Sequence, residues 1–260
     1  MKISLIGAGN MAQFLGVSFK NAGHTLCQIY AGPSQRALPL ANRLNAQCIQ
    51  HVAQLDTSID VLLIATPDDV IQQYAETLPE MPCAVLHTAG SLPSSALQRL
   101  NPRHASIWCI YSIRSENLPQ HRTIPVVIES ENPEAVQLAT TLAQSFSDAI
   151  YYLEAAQKPV VHLGAVLANN FTNHLFAICE ELLGEVQIPR EILFPILEET
   201  VQNLKQLPAT ELQTGPALRG DAKTQDRHLQ KLKNHPNYTR IYEAISASIQ
   251  HMYANKPSNF

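Results

Sequence analysis

The sequence predicts a doubly wound, mostly parallel α/β sheet in residues 1–153 followed by an all-α domain in residues 154–260. The β-branched run Lys2–Ile6 stops at a glycine turn, and a helical apolar pattern follows at once. Short apolar runs then alternate with helical stretches, as crossover units require. Beyond Glu154 the strand signals fade and only helical spacing continues.

The elements follow in chain order. Met11, Phe14, Leu15 and Phe19 fall at helical spacing before the Ala22-Gly23 stop. Thr25–Tyr30 reads as a second strand and residues 34–44 as a second helix. Residues 60–65 (Asp-Val-Leu-Leu-Ile-Ala) form an unbroken apolar run of the kind buried on both faces in parallel sheets. Residues 70–77, 94–100 and 133–146 read as helices; Ala84–His87, 107–110, 125–129 and 150–153 read as strands. The helical domain is expected to comprise residues 160–183, 191–205, 221–233 and 238–252.

Composition excludes several function classes. The net charge of -4 gives no electrostatic case for nucleic acid or an anionic membrane surface. Five scattered cysteines, without a C-x-x-C pair, suggest neither a disulfide framework nor a metal site, and a cytoplasmic setting is expected. The N-terminal apolar run is too short for a signal peptide or membrane span.

The glycine turn carries the chemistry. Gly7-Ala8-Gly9-Asn10-Met11-Ala12 is a G-x-G-x-x-A pattern that closes a strand and opens a helix, the setting of a Rossmann-type dinucleotide site. Gly7 can make the tight turn, Gly9 can admit a pyrophosphate, and Ala12 can let the helix pack on the strand. Backbone amides of Asn10 and Met11 would then face the phosphates.

An NAD site usually has an acid at the end of the second strand; Cys27-Gln28-Ile29-Tyr30-Ala31-Gly32 has none. Ser34 and Arg36 follow instead, a hydroxyl and a guanidinium suited to a ribose 2′-phosphate, so NADP is expected. The same two residues could simply begin a solvated helix. Ala65, Thr66 and Pro67 end the third main strand where such sheets place ligands, while Asp68 can equally serve the following helix start. His87 and Thr88 end another strand on that edge and can reach cofactor or substrate, unless His87 is a buried, hydrogen-bonded structural histidine.

In the second half, His162, Asn169 and Asn173 fall within about 40° of one another on a continuous α-helix, with Asn170 to one side. This polar stripe either faces substrate or forms a satisfied seam between helices. His162 is the first candidate for proton donor and His87 the second, since an imidazole titrates near neutrality. Asn170 can orient a substrate by hydrogen bonds. Arg219 suits a substrate carboxylate or an Arg-Asp clasp, and Asp221 reads as the N-cap of residues 222–233.

The glycine turn, Thr66-Pro67-Asp68 and the helical second half resemble the pyrroline-5-carboxylate reductase and β-hydroxyacid dehydrogenase superfamily. His162-x-x-Ala165-x-x-x-Asn169-Asn170-Phe171 and Thr214-Gly215-Pro216-Ala217-Leu218-Arg219-Gly220-Asp221 resemble, within it, the Rossmann-like and DUF2520 family. The resemblance spans essentially the whole chain. It implies an NADP-dependent oxidoreductase and a homodimer formed through the helical domain; the enzyme reading adds hydride transfer between NADPH and a small 2-keto acid, hydroxy acid or cyclic imine.

One departure stands out. The dehydrogenases carry a lysine about one helical turn before an asparagine, whereas four residues before Asn170 stands Val166. Lys158, beside Pro159, reads as lying outside the helix, and Tyr151 is followed four residues on by Ala155 rather than lysine. A non-catalytic NADP-binding sensor is therefore the alternative to an enzyme.

Overall fold

The computed structural model describes residues 1–254, and the chain divides into two compact units, Met1–Asn169 and Asn170–Phe260. In the first unit eight strands form one sheet: β1 (Lys2–Ile6), β2 (Thr25–Tyr30), β3 (Gln47–Cys48), β4 (Val61–Ile64), β5 (Ala84–His87), β6 (His104–Cys109), β7 (Val126–Glu129) and β8 (Ile150–Tyr152). Their order is β3-β2-β1-β4-β5-β6-β7-β8, parallel throughout except for the antiparallel β6–β7 pair.

The helices of this unit are α1 (Asn10–Asn21), α2 (Ala37–Leu44), α3 (Asp68–Thr77), α4 (Pro133–Ala143) and α5 (Lys158–Ala165). Alternate strand residues enter opposite cores. Ile3 and Leu5 pack with Phe14, Phe19, Leu40 and Leu142, whereas Ile6, Leu62 and Ile64 pack with Ile71, Ala75 and Leu97. Strands covered on both faces need apolar residues at every position, which is why Val61–Ile64 is an unbroken apolar run.

The second unit contains α6 (Thr172–Glu185), α7 (Phe194–Leu204), α8 (Ala209–Leu212), α9 (Ala222–Lys231) and α10 (Pro236–Tyr253). A groove of about 340 Å³ runs between Leu175, Cys179 and Leu182 of α6 and Ile241, Ile245 and Ile249 of α10. Ile192, Ile196 and Val201 are exposed. As expected, Asp221 caps α9: its carboxylate accepts the Thr224 amide at 3.1 Å and hydroxyl at 2.7 Å, and these bonds hold its pKa below the usual range.

Three expectations are corrected, and one strand goes unseen in the sequence. Residues 94–100 form only a short 3₁₀ turn, Ser94–Leu97, whose first residue donates its amide and hydroxyl to Glu129. The two-residue strand β3 has too little pattern to be seen in sequence. The stretch 160–183 is not one α-helix: a π-helical segment, Val166–Phe171, separates α5 from α6 and changes the angular register used to align the polar stripe. Lys158 is the first residue of α5, since Pro159 in a first turn forfeits no hydrogen bond. Lys158 is buried, and α5 lies within the first compact unit. Among the described residues no helix is long and apolar enough to cross a membrane.

Candidate functional site: a dinucleotide cleft

The sheet order reverses between β1 and β4, and the ends of these strands open the crevice in which doubly wound folds bind ligands. Gly7 leaves β1 at φ +126°, its amide donating to Tyr30 O at 2.7 Å. A β-carbon there would lie 2.2 Å from Ala65 O, so the approach of the two strand ends itself demands glycine. Gly9 differs. Its φ of -74° and ψ of -175° suit any residue, and a β-carbon would meet nothing within 4 Å. Glycine at this position instead leaves room in the cleft.

No side chain caps α1, so its first-turn amides remain available to a phosphate. Ala12 is fully buried where helix meets sheet. These features form the wall of a cleft of about 560 Å³ lined by Gly7, Gly9, Asn10 and Met11; by Ser34 and Arg36; by Ala65, Thr66 and Pro67; and by Thr88. Every residue expected from sequence to face the dinucleotide thus reaches one cavity.

Inside it, the Asn10 side chain donates to Ile113 O at 3.1 Å, and Ser34 Oγ accepts the Arg36 amide at 3.3 Å. Thr66 Oγ1 is buried and has no hydrogen-bond partner among the described residues, a site for a polar ligand group. Sequence reading missed Val70 and Tyr74, which line the cleft one α3 turn apart; Tyr74 meets Tyr30 edge-on at 6.3 Å. Their i, i+4 spacing was the available signal. The open space at Gly9, the uncapped helix and the unpartnered Thr66 fit a dinucleotide.

His87 lies outside this cavity and is fully buried. Its Nδ1 accepts the Ala89 amide and its Nε2, carrying the proton, donates to Pro93 O, both at 3.2 Å. Burial pushes its pKa down to about 3. With both nitrogens engaged and the ring neutral, His87 takes the structural alternative rather than that of an acid.

His162 is half-buried on α5, its ring 5.5 Å from that of Trp108 and packed on Gly90. Asn169 donates to Ser112 Oγ at 3.0 Å, one residue from the Ile113 carbonyl that holds Asn10. The segment 112–113 therefore links the cleft wall at Asn10 to the π-helical segment at Asn169. Asn170 and Arg219 belong to the second unit and are exposed. There Glu181, Glu185 and His235 also gather, with ligand atoms within 4.8 Å of one another. His235 pairs with Glu185 at 2.9 Å and the Tyr238 hydroxyl donates to Glu181, so these groups partner one another.

Residues 124–249 match the family model described as Domain of unknown function (DUF2520), and residues 1–87 match Oxidoreductase family, NAD-binding Rossmann fold. The curated proteins include no match to the chain. Among solved structures, BF3122 of Bacteroides fragilis, named as a presumptive NADP oxidoreductase, is similar at 28% identity over 96% of this chain and 98% of that one, with a TM-score of 0.86. An imine reductase from Myxococcus stipitatus in complex with NADP+ shares the fold at 12% identity, covering 98% and 95% of the two chains, with a TM-score of 0.70. So does 1-pyrroline-5-carboxylate reductase from Streptococcus pyogenes, at 14% identity, 96% and 98% coverage and a TM-score of 0.63. The chain thus joins an NAD(P)-binding Rossmann fold of oxidoreductase type, matched over residues 1–87, to a DUF2520 domain, matched over residues 124–249.

Proposed function

We propose that the protein is an NADP-dependent reductase of a small C=N or C=O compound, a cyclic imine or 2-keto acid. The observation that carries this reading is the cleft at the β1/β4 crevice, open at Gly9 and closed at its β2 end by Ser34 and Arg36 without an acid. The hydroxyl and guanidinium suit a 2′-phosphate, and an acid that would repel it is missing from the end of β2. Bound there, the reduced dinucleotide supplies hydride.

His162 is the proposed proton donor. It is half-buried rather than sealed, and the π-helical segment that follows its helix joins the cleft wall through Asn169, Ser112, Ile113 and Asn10. For a carbonyl, hydride adds to carbon and the imidazolium proton passes to the developing alkoxide; for an imine, the proton goes to nitrogen. Arg219 is proposed to grip a substrate carboxylate and Asn170 to orient substrate, roles taken from residue type. The exposed isoleucines and valine of the helical unit support a homodimer formed through it.

The test is binding followed by turnover. NADPH should quench the emission of Trp108, the chain's single tryptophan, and raise the melting temperature more than NADH does. A screen of cyclic imines and 2-keto acids should then consume NADPH. No stabilisation by any dinucleotide would sink the proposal, while binding without turnover across the screen would favour the sensor.

A further inference from the structure

The reading of the cleft and His162 as a reaction centre leaves one buried charged group unexplained. Lys158 is 1% exposed and Glu129 3%, on an otherwise apolar strand. Lys158 Nζ donates to Leu92 O and Ser106 Oγ, both at 2.5 Å, and lies 3.5 Å from Glu129 Oε2. Glu129 in turn accepts the Ser94 amide at 2.6 Å and the Ser94 hydroxyl at 2.8 Å. The contacts with Leu92 and Ser94 fall in the segment 88–94 between β5 and β6, which also places Pro93 on His87 and Ser91 on Asp68.

The segment has two functional neighbours. Thr88 forms part of the cleft wall, and Gly90 carries the His162 ring. Lys158 and His162 stand at i and i+4 of α5, on one face, so the anchor of Lys158 also sets the approach of His162. A buried ion pair adds little net stability, and apolar residues of similar volume would hold a core at least as well. Its directional bonds supply what apolar packing cannot, a single placement of the segment.

We propose that Lys158 is a positioning residue for this site: its buried ammonium ties segment 88–94 to Ser106 and Glu129, fixing Thr88 in the cleft wall and Gly90 against His162. This rests on the proposed function only for its consequence in turnover; the clasp itself is testable without any ligand. The groups facing Lys158 are Glu129 from β7, Asp68 from α3 and the neutral His87 from β5. Burial pushes Lys158 down to about 8 against the pull of Glu129 and Asp68, so the clasp can be titrated in the folded protein.

Trp108 reads it, because its ring touches both Gly90 and His162. In the ligand-free protein, its emission should show a step with a midpoint near pH 8, absent in Lys158→Met and in Lys158→Arg, whose guanidinium stays charged. Lys158→Met should also lower kcat by about tenfold or more, since small misplacement of reacting groups is costly, with the Kd for NADPH changed less than about threefold. Lys158→Arg, which keeps the charge, should recover part of that rate and serves if the Met variant does not fold. A missing alkaline step in the wild type, or the same step in Lys158→Arg, would overturn the clasp. Absence of NADPH binding would overturn the proposed function and leave the Trp108 titration to be judged separately.

Discussion

The ring of His162 occupies the space that a β-carbon on Gly90 would need: His162 Cδ2 lies 2.7 Å from that position, and Trp108 Cε2 2.5 Å. Gly90 has no left-handed backbone requirement, so the constraint is space alone. Gly90→Ala should push the two rings apart. The expected result is a changed Trp108 emission and turnover reduced by about 10²-fold, with NADPH affinity nearly unchanged, because misplacement by about an ångström is felt mainly in chemistry. Unaltered turnover would dissociate His162 from the reaction.

Gly7 and Gly9 should separate fold from binding. A side chain at Gly7 would collide with Ala65 O at φ +126°, so Gly7→Ala should destabilise the chain by about 2 kcal/mol or more, read by urea unfolding. Gly9→Val has an ordinary backbone and open space. It should fold like the wild type yet weaken both NADPH and NADH by more than about tenfold, by filling the pyrophosphate position. Equal dinucleotide affinity in Gly9→Val would place the ligand elsewhere.

Arg36 is exposed at the mouth of the cleft, where a 2′-phosphate would meet it. Arg36→Ala should weaken NADPH about tenfold or more, the usual scale for a charge-assisted hydrogen bond, and leave NADH unaffected. A titration of both dinucleotides decides it: equal losses would remove Arg36 as the source of selectivity.

His87 makes stability depend on pH. Its folded pKa of about 3 lies below the ordinary 6.5, so between those values the unfolded chain binds more protons. Its contribution is fully present above about pH 6.5 and is lost as pH falls toward 3. Denaturant unfolding at a series of pH values should show this acid limb in the wild type and a shallower one in His87→Gln. Parallel curves would mean that His87 is not held neutral.

The dinucleotide half of the site was legible because its signals are local. A glycine turn, an absent acid and a strand-end Thr-Pro each depend on a few adjacent residues, and parallel pairing then carries the strand ends to one edge. The polar stripe was less so: counting 100° per residue assumes a uniform helix, and the π-helical segment Val166–Phe171 breaks that assumption without a mark in composition. Lys158 was hidden for another reason. Beside a proline it looks like a surface residue ahead of a helix, and nothing near it in sequence names Ser106 or Glu129 as partners.

By itself, then, the sequence determined the alternation of strand and helix, the crevice turn and the class of ligand that turn accepts, since each follows from backbone geometry over short spans. Only the tertiary structure decided that His87 is sealed, that His162 rests on Gly90, and that a lysine from a helix and a glutamate from a strand meet in the interior. Those outcomes depend on burial and on contacts between residues far apart in the chain, and burial is a property of the packed sheet rather than of any segment within it.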